Sequence, residues 1–294
     1  MTFKHHALSI SLALCYSMLT TPSLAQNTQP ENNQIINDFC LEWSKKLRTV
    51  EYEPCLAFNL EQSSHFSVEN RPLLHREFIP AEGVRPKSRV LAIGGVHGDE
   101  YSAISISYLW MKTMQKHPES LGHHWLFLPL ANPDGLFRRP ATRQNANGVD
   151  LNRNFPTPDW DESAIKFWKS HYRSNPRRYP GTGPSSEPET DWQVSIIKAF
   201  QPDAIISIHA PYGLLDYDGP DFARPDRVGN LKLHQLGTFP GSLGRYAGEY
   251  LNIPVLTIEL DSAGSLPSEQ EMLQIWHDMN EWIDGKLEPA EKDF

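Results

Sequence analysis

Three short apolar segments of the chain are each followed, at once or after a glycine-containing turn, by an ionisable side chain; these are His97, His209 and Glu259. Continuous apolar runs of four or five residues are typical of strands that are buried on both faces. In open α/β sheets, ligands bind beyond the carboxyl ends of the strands. The pattern therefore predicts that these three side chains meet at one edge of a sheet.

Apolar runs and helical patterns alternate along the chain. The predicted strands are 90–93, 125–128, 204–208 and 255–258. The predicted helices are 35–47, 101–116, one that ends near Phe200 and one that ends near Gly285. Ser186 with Glu189, and Ser268 with Glu271, have the spacing of a capping box at the start of the last two helices. The alternation predicts a layered α/β domain with helices on both faces of the sheet.

The charge balance excludes one class of function. The 294 residues include 27 lysines and arginines against 36 aspartates and glutamates, a formal net charge of −9. A general nucleic-acid-binding protein needs a basic face for phosphates, so we expect no nucleic-acid partner. The composition does not specify an oligomeric state.

Residues 1–25 are typical of an export signal. They contain no acidic residue, and Lys4 precedes an apolar stretch over 7–19 that is shorter than the roughly 20 residues of a membrane span. The segment 23–25 has the small-x-small pattern that a signal peptidase reads. We predict cleavage after Ala25, a periplasmic location and no stable membrane insertion afterwards; an uncleaved anchor is the alternative.

Cleavage would leave two cysteines, Cys40 and Cys55. In the oxidising environment of an exported protein this pair favours a disulfide that closes a loop of about 15 residues, with two buried free thiols as the alternative. We predict that residues 26–64 form an N-terminal extension carrying the bridge, and that residues 65–294 form the main domain.

A set of metal ligands can be assembled from the strand ends. His97-Gly98-Asp99-Glu100 is a His-x-x-Glu motif whose glycines allow a tight turn, and His209 ends a separate strand. Two histidines and one glutamate leave the fourth position of a tetrahedral zinc ion open, as in catalytic sites. Glu259 is the candidate base for the attacking water. Considered alone, Glu259 fits a solvated strand-end carboxylate equally well.

The segment 143–155 crowds arginines and side-chain amides into turn-forming sequence without apolar periodicity. Arginine binds carboxylates through two parallel hydrogen bonds, so an Asn-Arg pair suits the terminal carboxylate of a substrate. A separate arginine could stabilise the oxyanion formed when water attacks a carbonyl. The alternative is an ion pair between Asp150 and Arg153 in a solvated loop.

Four motifs, taken in order along residues 65–285, resemble the zinc metallocarboxypeptidase family; they are His97-x-x-Glu100, Asp150-Leu151-Asn152-Arg153-Asn154-Phe155, Ser207-Ile208-His209 and Thr257-Ile258-Glu259-Leu260. The resemblance implies a single catalytic domain with a mixed central β-sheet. It implies one Zn²⁺ ion, with the ligands His97, Glu100 and His209. It also implies that Glu259 is the general acid/base, that Arg143 binds the oxyanion, and that the terminal carboxylate is held by Asn152 and Arg153.

Within that family the chain is similar to the murein peptide amidases, which cleave the bond between γ-D-glutamate and meso-diaminopimelate. The similar segments are 94–100, 145–150, 186–189, 209–211 and 241–244. This similarity implies that the partners are peptidoglycan stem peptides containing diaminopimelate. Polar candidates for binding the far head group of diaminopimelate are Asp216, Asp218, Arg224 and Arg245. Tyr246 is the nearest match to the tyrosine that digestive carboxypeptidases carry before the catalytic glutamate.

Other functions stay open at this point. A zinc deacylase of N-acyl amino acids has a similar His-x-x-Glu motif and Asn-Arg turn, but commonly continues into a further β-rich domain. A carboxypeptidase that trims stem peptides to set cell shape would cut the same bond in a tripeptide. A non-catalytic peptidoglycan-binding protein on this fold is the third alternative.

Overall fold

The computed structural model describes residues 1–2, 28–118 and 122–287. Nearly all of the predicted signal peptide, and the cleavage site after Ala25, lie outside the described residues. No helix in the described ranges combines the length and the apolar character needed to cross a bilayer.

Helices and strands alternate through most of the chain. The helices are α1 (Thr28–Lys46), α2 (Tyr52–Ala57), α3 (Tyr101–Lys116), α4 (Pro133–Phe137), α5 (Trp160–His171), α6 (Pro188–Phe200) and α7 (Glu269–Lys286). The strands are β1 (Glu61–Phe66), β2 (Pro72–Phe78), β3 (Arg89–Ile93), β4 (His124–Leu128), β5 (Ala204–His209), β6 (Leu214–Asp218), β7 (Arg227–Val228), β8 (Leu231–Lys232) and β9 (Val255–Glu259). Short 3₁₀ turns occupy Leu151–Arg153, Pro176–Arg178 and Asp221–Ala223, and a π-helix occupies Gly244–Tyr250.

In the described part of the chain, seven strands form one mixed sheet in the order β1-β2-β4-β3-β5-β9-β6. The four central strands, β4, β3, β5 and β9, run parallel, and they are the four predicted strands. The flanking strands β1, β2 and β6 pair antiparallel and were not predicted. The carboxyl ends of β3, β5 and β9 therefore lie side by side.

Helices cover both faces of the sheet, as predicted. Along β3, Val90 and Ala92 face one apolar cluster, which includes residues of α1, α3 and α7. Leu91 and Ile93 face a second cluster, which includes residues of α6 and the π-helix. This period of two along a fully buried strand is the expected geometry for a sheet sandwiched between helices. The result is a rigid support for the loops at the carboxyl ends of the strands.

The two predicted capping boxes have different outcomes. At the start of α7, Ser268 accepts a hydrogen bond from the backbone of Glu271, and the Glu271 carboxylate accepts one from the backbone N–H of Ser268. The box predicted for Ser186 and Glu189 is wrong. Ser186 donates to the neighbouring Glu187 instead, and the Glu189 carboxylate faces inward to the side chain of Asn145, because a buried amide there needs an acceptor.

The N-terminal helix begins at Thr28, earlier than the predicted start at residue 35. The Cys40–Cys55 disulfide is present and joins α1 to α2. Trp43 is fully buried, with its ring centroid 5.6 Å from that of Tyr108 on α3, so the bridged segment packs on the sheet domain. The predicted boundary at residue 65 lies within β1, and the division at this point stays a prediction.

Candidate metal centre and active site

The side chains of His97, Glu100 and His209 converge on one point. The Nδ1 atom of His97 lies 2.8 Å from Glu100 Oε1, and the Nδ1 atom of His209 lies 3.0 Å from Glu100 Oε2. The two Nδ1 atoms are 3.1 Å apart, and all three residues are buried. The structure therefore brings together the three side chains that the sequence predicted as ligands.

Local backbone geometry aims these side chains. The turn after β3 contains Gly95 at φ +64°, a conformation that favours glycine. Gly98 packs against the backbone of Gly135, so closely that a Cβ atom there would lie 2.1 Å from the Gly135 carbonyl carbon. Glu100 is the N-cap residue of α3, and His209 is the last residue of β5. The His-x-x-Glu turn is thus pressed against the edge of the sheet.

The outer nitrogen of each imidazole has its own partner. His97 Nε2 lies 3.0 Å from Asp150 Oδ1, and His209 Nε2 lies 3.0 Å from Ser207 Oγ. Such outer partners fix the ring orientation and the tautomer of a metal-binding histidine. They leave Nδ1 of both rings facing the shared point beside Glu100.

These residues fit a zinc ion. Two imidazole nitrogens and a carboxylate are the donor set of many catalytic zinc sites, and bonds of about 2.0–2.1 Å in tetrahedral geometry separate ligand atoms by roughly 3.3 Å. The observed separations of 2.8–3.1 Å among the donors of His97, Glu100 and His209 are close to that spacing. The cluster also lines a pocket, so a further coordination position faces open space.

Asp150 connects this cluster to an arginine. Its Oδ2 atom accepts a 2.9 Å hydrogen bond from Nε of Arg143, and Nη1 of Arg143 lies 3.3 Å from Glu100 Oε1. Burial opposes ionisation of Asp150, but Arg143 and His97 hold the pKa of this carboxyl well below its usual range. Asp150 and Arg143 therefore form a buried ion pair that supports His97.

Glu259 ends β9 at the position paired with His209 on β5. Its Oε2 atom is buried and has no hydrogen-bond partner among the described residues. Burial raises the pKa of Glu259 to about 7, and the charge of Glu100 adds to this effect while His209 opposes it. A carboxylate with an unused oxygen and a pKa near neutrality is suited to accept and return a proton.

The cluster opens into a pocket of about 260 Å³ at the carboxyl edge of the sheet. Arg153 lies in its wall, 6% exposed, with Nη2 donating to the Tyr172 hydroxyl and the guanidinium 4.5 Å from the centroid of Phe239. Its Nε is buried without a partner, and no carboxylate of the described residues forms a salt bridge with it. Asn152 uses its oxygen to accept from Leu243 N–H, which leaves its NH₂ group as a donor.

The alternative of a solvated Asp150–Arg153 ion pair does not match the structure. Both side chains are buried, and the Asp150 carboxylate is bonded to Arg143 and His97 instead. The cationic segment therefore divides into Arg143, which forms salt bridges with Asp150 and Glu100, and Arg153, which forms none with the carboxylates of the described residues.

The candidates for the far head group separate into two pairs. Asp216 and Asp218 line the pocket from β6, where alternate residues share a face. Burial raises the pKa of Asp218 to about 7, and Asp216 adds to this effect. Arg224 and Arg245 do not line the pocket; Arg224 pairs with Asp221, and Arg245 pairs with carboxylates of its own.

Tyr246 also lies outside the pocket. It is 2% exposed, and its ring stacks on Phe155 at 5.8 Å. The structure places Tyr172, Arg178 and Tyr212 in the pocket wall instead, none of which was singled out from the sequence. The sequence analysis did not identify Asp150 as the partner of His97. A signal was present, because Asp150 is an acidic residue within a segment, 143–155, that is predicted to bind carboxylates.

Comparisons with known proteins agree with this geometry. The zinc carboxypeptidase family matches residues 61–220. Murein peptide amidase A from Vibrio campbellii is 33% identical over 204 residues, which cover 66% of this chain and 76% of that protein. The crystal structure of the murein-tripeptide amidase from Escherichia coli O157 is similar with a TM-score of 0.54 and 27% identity, covering 76% of this chain and 91% of that one.

Carboxypeptidase A from Helicoverpa armigera has the same fold, with a TM-score of 0.63 at 16% identity, over 90% of this chain and 82% of that one. The family match spans more than half of the chain and includes His97, Glu100 and His209. By this match and by its mixed sheet with helices on both faces, the chain belongs to the zinc carboxypeptidase family and is a peptide hydrolase.

Proposed function

We propose that this protein is a zinc-dependent amidase that hydrolyses the γ-D-glutamyl–meso-diaminopimelate bond of peptidoglycan stem peptides. It acts in the periplasm, after removal of the signal peptide predicted for residues 1–25. The similar proteins named as murein peptide amidases support the substrate class. The observation that carries the proposal is that one pocket beside the His–Glu–His cluster is lined by a buried arginine and two aspartates, none of which forms a salt bridge within the described residues.

These three side chains suit the product amino acid. Arg153 offers a buried cation without a carboxylate partner in the described residues, and Asp216 and Asp218 offer carboxylates that form no salt bridge there. Diaminopimelate carries a carboxylate next to the scissile amide and, at its far end, an ammonium group beside a second carboxylate; the ammonium group is the part that suits the two aspartates. Asp216 already accepts a hydrogen bond from the backbone N–H of Leu236. A terminal residue with an apolar side chain would still leave the two aspartates without a cationic partner, at a cost that disfavours it.

The mechanism follows from the positions of the side chains. Arg153 and the NH₂ group of Asn152 bind the terminal carboxylate of the substrate and so fix the scissile carbonyl near the cluster of His97, Glu100 and His209. One zinc ion, held by these three residues, would polarise that carbonyl and lower the pKa of water toward ~7.

Arg143 binds the oxyanion and Glu259 transfers the proton. Asp150 and Glu100 hold two of the guanidinium nitrogens of Arg143, which leaves Nη2 to donate to the oxyanion as it forms. Glu259 takes a proton from the attacking water on its unpartnered Oε2 and returns it to the leaving amine.

The test uses the purified mature protein and stem peptides of defined length. Tripeptide, tetrapeptide and pentapeptide stems are incubated with the zinc-loaded enzyme, with and without a chelator, and the products are identified by mass. We expect free diaminopimelate from the tripeptide, and no release with the chelator or with the Glu259→Gln variant. Release of terminal D-alanine from the longer stems, without cleavage of the tripeptide, would contradict the proposal and indicate a different carboxypeptidase.

A further inference from the structure

Arg143, Arg153 and Arg178 line the pocket. The proposed mechanism assigns a role to the first two and none to Arg178. It ends the 3₁₀ turn Pro176–Arg178. Its side chain keeps 22% exposure, compared with 8% for Arg143. Arg178 is thus a partly exposed cation in the wall of a binding pocket, and its surroundings indicate which group it could bind.

Arg178 lies in the pocket wall, close to Arg143. Its Nη1 lies 3.8 Å from Asp150 Oδ2, the oxygen that already accepts the 2.9 Å hydrogen bond from Arg143 Nε. Its Nη2 makes a long contact of 3.4 Å to the hydroxyl of Tyr212, which is 56% exposed. Its guanidinium also lies 5.6 Å from the ring centroid of Tyr172, whose hydroxyl accepts from Arg153. A ring contact uses no N–H group and Asp150 has closer partners, so most of the hydrogen-bonding capacity of Arg178 is unused.

The turn that carries Arg178 is fixed to the active site. Nη2 of the preceding Arg177 lies 2.6 Å from Oδ2 of Asp99, inside the His-x-x-Glu motif. The backbone N–H of Arg177 donates to the side chain of Asn175, and the side chain of Gln144 donates to the carbonyl of Pro176. Arg178 is therefore held at a set distance from the metal cluster rather than on a free loop.

The direction of a bound substrate follows from the roles proposed for Arg153 and Arg143. The terminal residue is bound where its carboxylate meets the buried Arg153, which is 6% exposed. The acyl residue then lies beyond the scissile carbonyl, on the side of Arg143. Arg178 is a neighbour of Arg143 there, because both guanidinium groups approach Asp150 Oδ2. A group on the acyl residue, close to the scissile carbonyl, is what Arg178 can reach.

The acyl residue of the proposed substrate carries a suitable group. When glutamate is joined through its side-chain carboxyl, its α-carboxylate stays free, whereas an ordinary α-linked residue has none at this place. We propose that Arg178 is a specificity-determining residue that binds this free α-carboxylate and selects γ-linked acyl residues. The inference rests on the proposed function, because it names the acyl-side group that the same site recognises.

The experiment compares two tripeptide stems that differ only in this carboxylate. One carries the free α-carboxylate on the γ-linked D-glutamate, and the other carries the α-amide. We expect the zinc-loaded wild-type enzyme to prefer the free carboxylate by about 10- to 100-fold in kcat/KM, the usual effect of losing a charged hydrogen-bonded pair. In Arg178→Gln the two substrates should be cleaved within about three-fold of each other.

Arg173→Gln is the matched control, since Arg173 is exposed on the same connecting segment and does not line the pocket. It should keep the wild-type preference, and thermal unfolding checks that both variants are folded. A wild-type enzyme without a preference, or a preference that Arg178→Gln retains, would overturn the inference and leave the proposed function standing. Failure of the wild-type enzyme to cleave either substrate would overturn both.

Discussion

The Nδ1 atoms of His97 and His209 lie 3.1 Å apart, although the two residues are 112 positions apart in the chain. Both atoms also lie within 3.0 Å of a Glu100 oxygen. Two imidazole nitrogens and a carboxylate at this spacing repel one another through their lone pairs unless a proton or a metal ion lies between them. Because Asp150 and Ser207 engage the outer nitrogens, the geometry favours one shared ion at this point.

Replacing Glu259 should separate catalysis from metal binding. Glu259→Gln keeps the shape of the side chain but removes the acceptor that takes the proton from water. We expect turnover of the tripeptide stem to fall by about 10²–10⁴-fold. The zinc content of the purified variant, measured by plasma mass spectrometry, should equal that of the wild type. Turnover within a few-fold of the wild type would contradict the assigned role.

Replacing Asp150 should weaken metal binding without removing a ligand. In the wild type, His97 Nε2 and Arg143 Nε each contact a different oxygen of the Asp150 carboxylate. In Asp150→Asn, a single amide oxygen has to accept from both nitrogens. We expect zinc affinity to fall by about 10- to 100-fold, measured by competition with a zinc indicator. Ser207→Ala, which removes the neutral partner of His209, is the comparison and should lose less. Equal affinity of Asp150→Asn and the wild type would contradict the outer-partner role.

Arg153 should control recognition of the terminal carboxylate. In the wild type, amidation of that carboxylate in the tripeptide stem should lower kcat/KM by about 10- to 100-fold, because charge-assisted hydrogen bonds are lost. In Arg153→Gln the free and amidated substrates should be cleaved at similar, low rates. Arg245→Gln is the control, since Arg245 pairs with Asp159 and Glu249 outside the pocket. Strong discrimination retained by Arg153→Gln would show that another group binds the carboxylate.

Sequence reasoning identified the central strands because burial on both faces produces continuous apolar runs, as in β5. It missed β1, whose residues Glu-Gln-Ser-Ser-His-Phe are largely polar because one side of an edge strand faces solvent. It also missed β6, where Asp216 and Asp218 alternate with buried apolar residues. Edge strands take their form from pairing with a neighbour, which a local pattern does not encode.

The same limit applies to the site. The positions of His97, His209 and Glu259 at strand ends follow from the local pattern and the topology of α/β sheets. The partner of a polar side chain does not follow from that pattern. The sequence allows an ion pair between Asp150 and Arg153, whereas in the structure the Asp150 carboxylate is bonded to Arg143. Contacts between distant segments depend on the packed loops.

Stability should respond to pH through Glu189, a fully buried residue of α6. Burial raises the pKa of Glu189 to about 7 from an ordinary value of 4.5, against the hydrogen bond from Asn145. The folded protein therefore keeps a proton that the unfolded chain loses between these two values. The free energy of unfolding should fall as pH rises through this window, by up to about 3 kcal/mol.

The variant Glu189→Gln removes this titration. Thermal unfolding of wild type and variant is measured at pH 5 and at pH 8. Whatever the offset at pH 5, the melting temperature of the variant should gain on that of the wild type at pH 8. An unchanged difference between the two proteins at both pH values would show that Glu189 does not hold the extra proton.

The position of the metal ion is the most direct test of the proposed centre. A crystal of the mature, zinc-loaded protein is measured at wavelengths above and below the zinc absorption edge. We expect one anomalous peak, bonded to Nδ1 of His97, Nδ1 of His209 and the Glu100 carboxylate, with Glu259 beside its open position. A zinc peak bound elsewhere, with these three side chains unligated, would contradict the metal centre and the mechanism built on it.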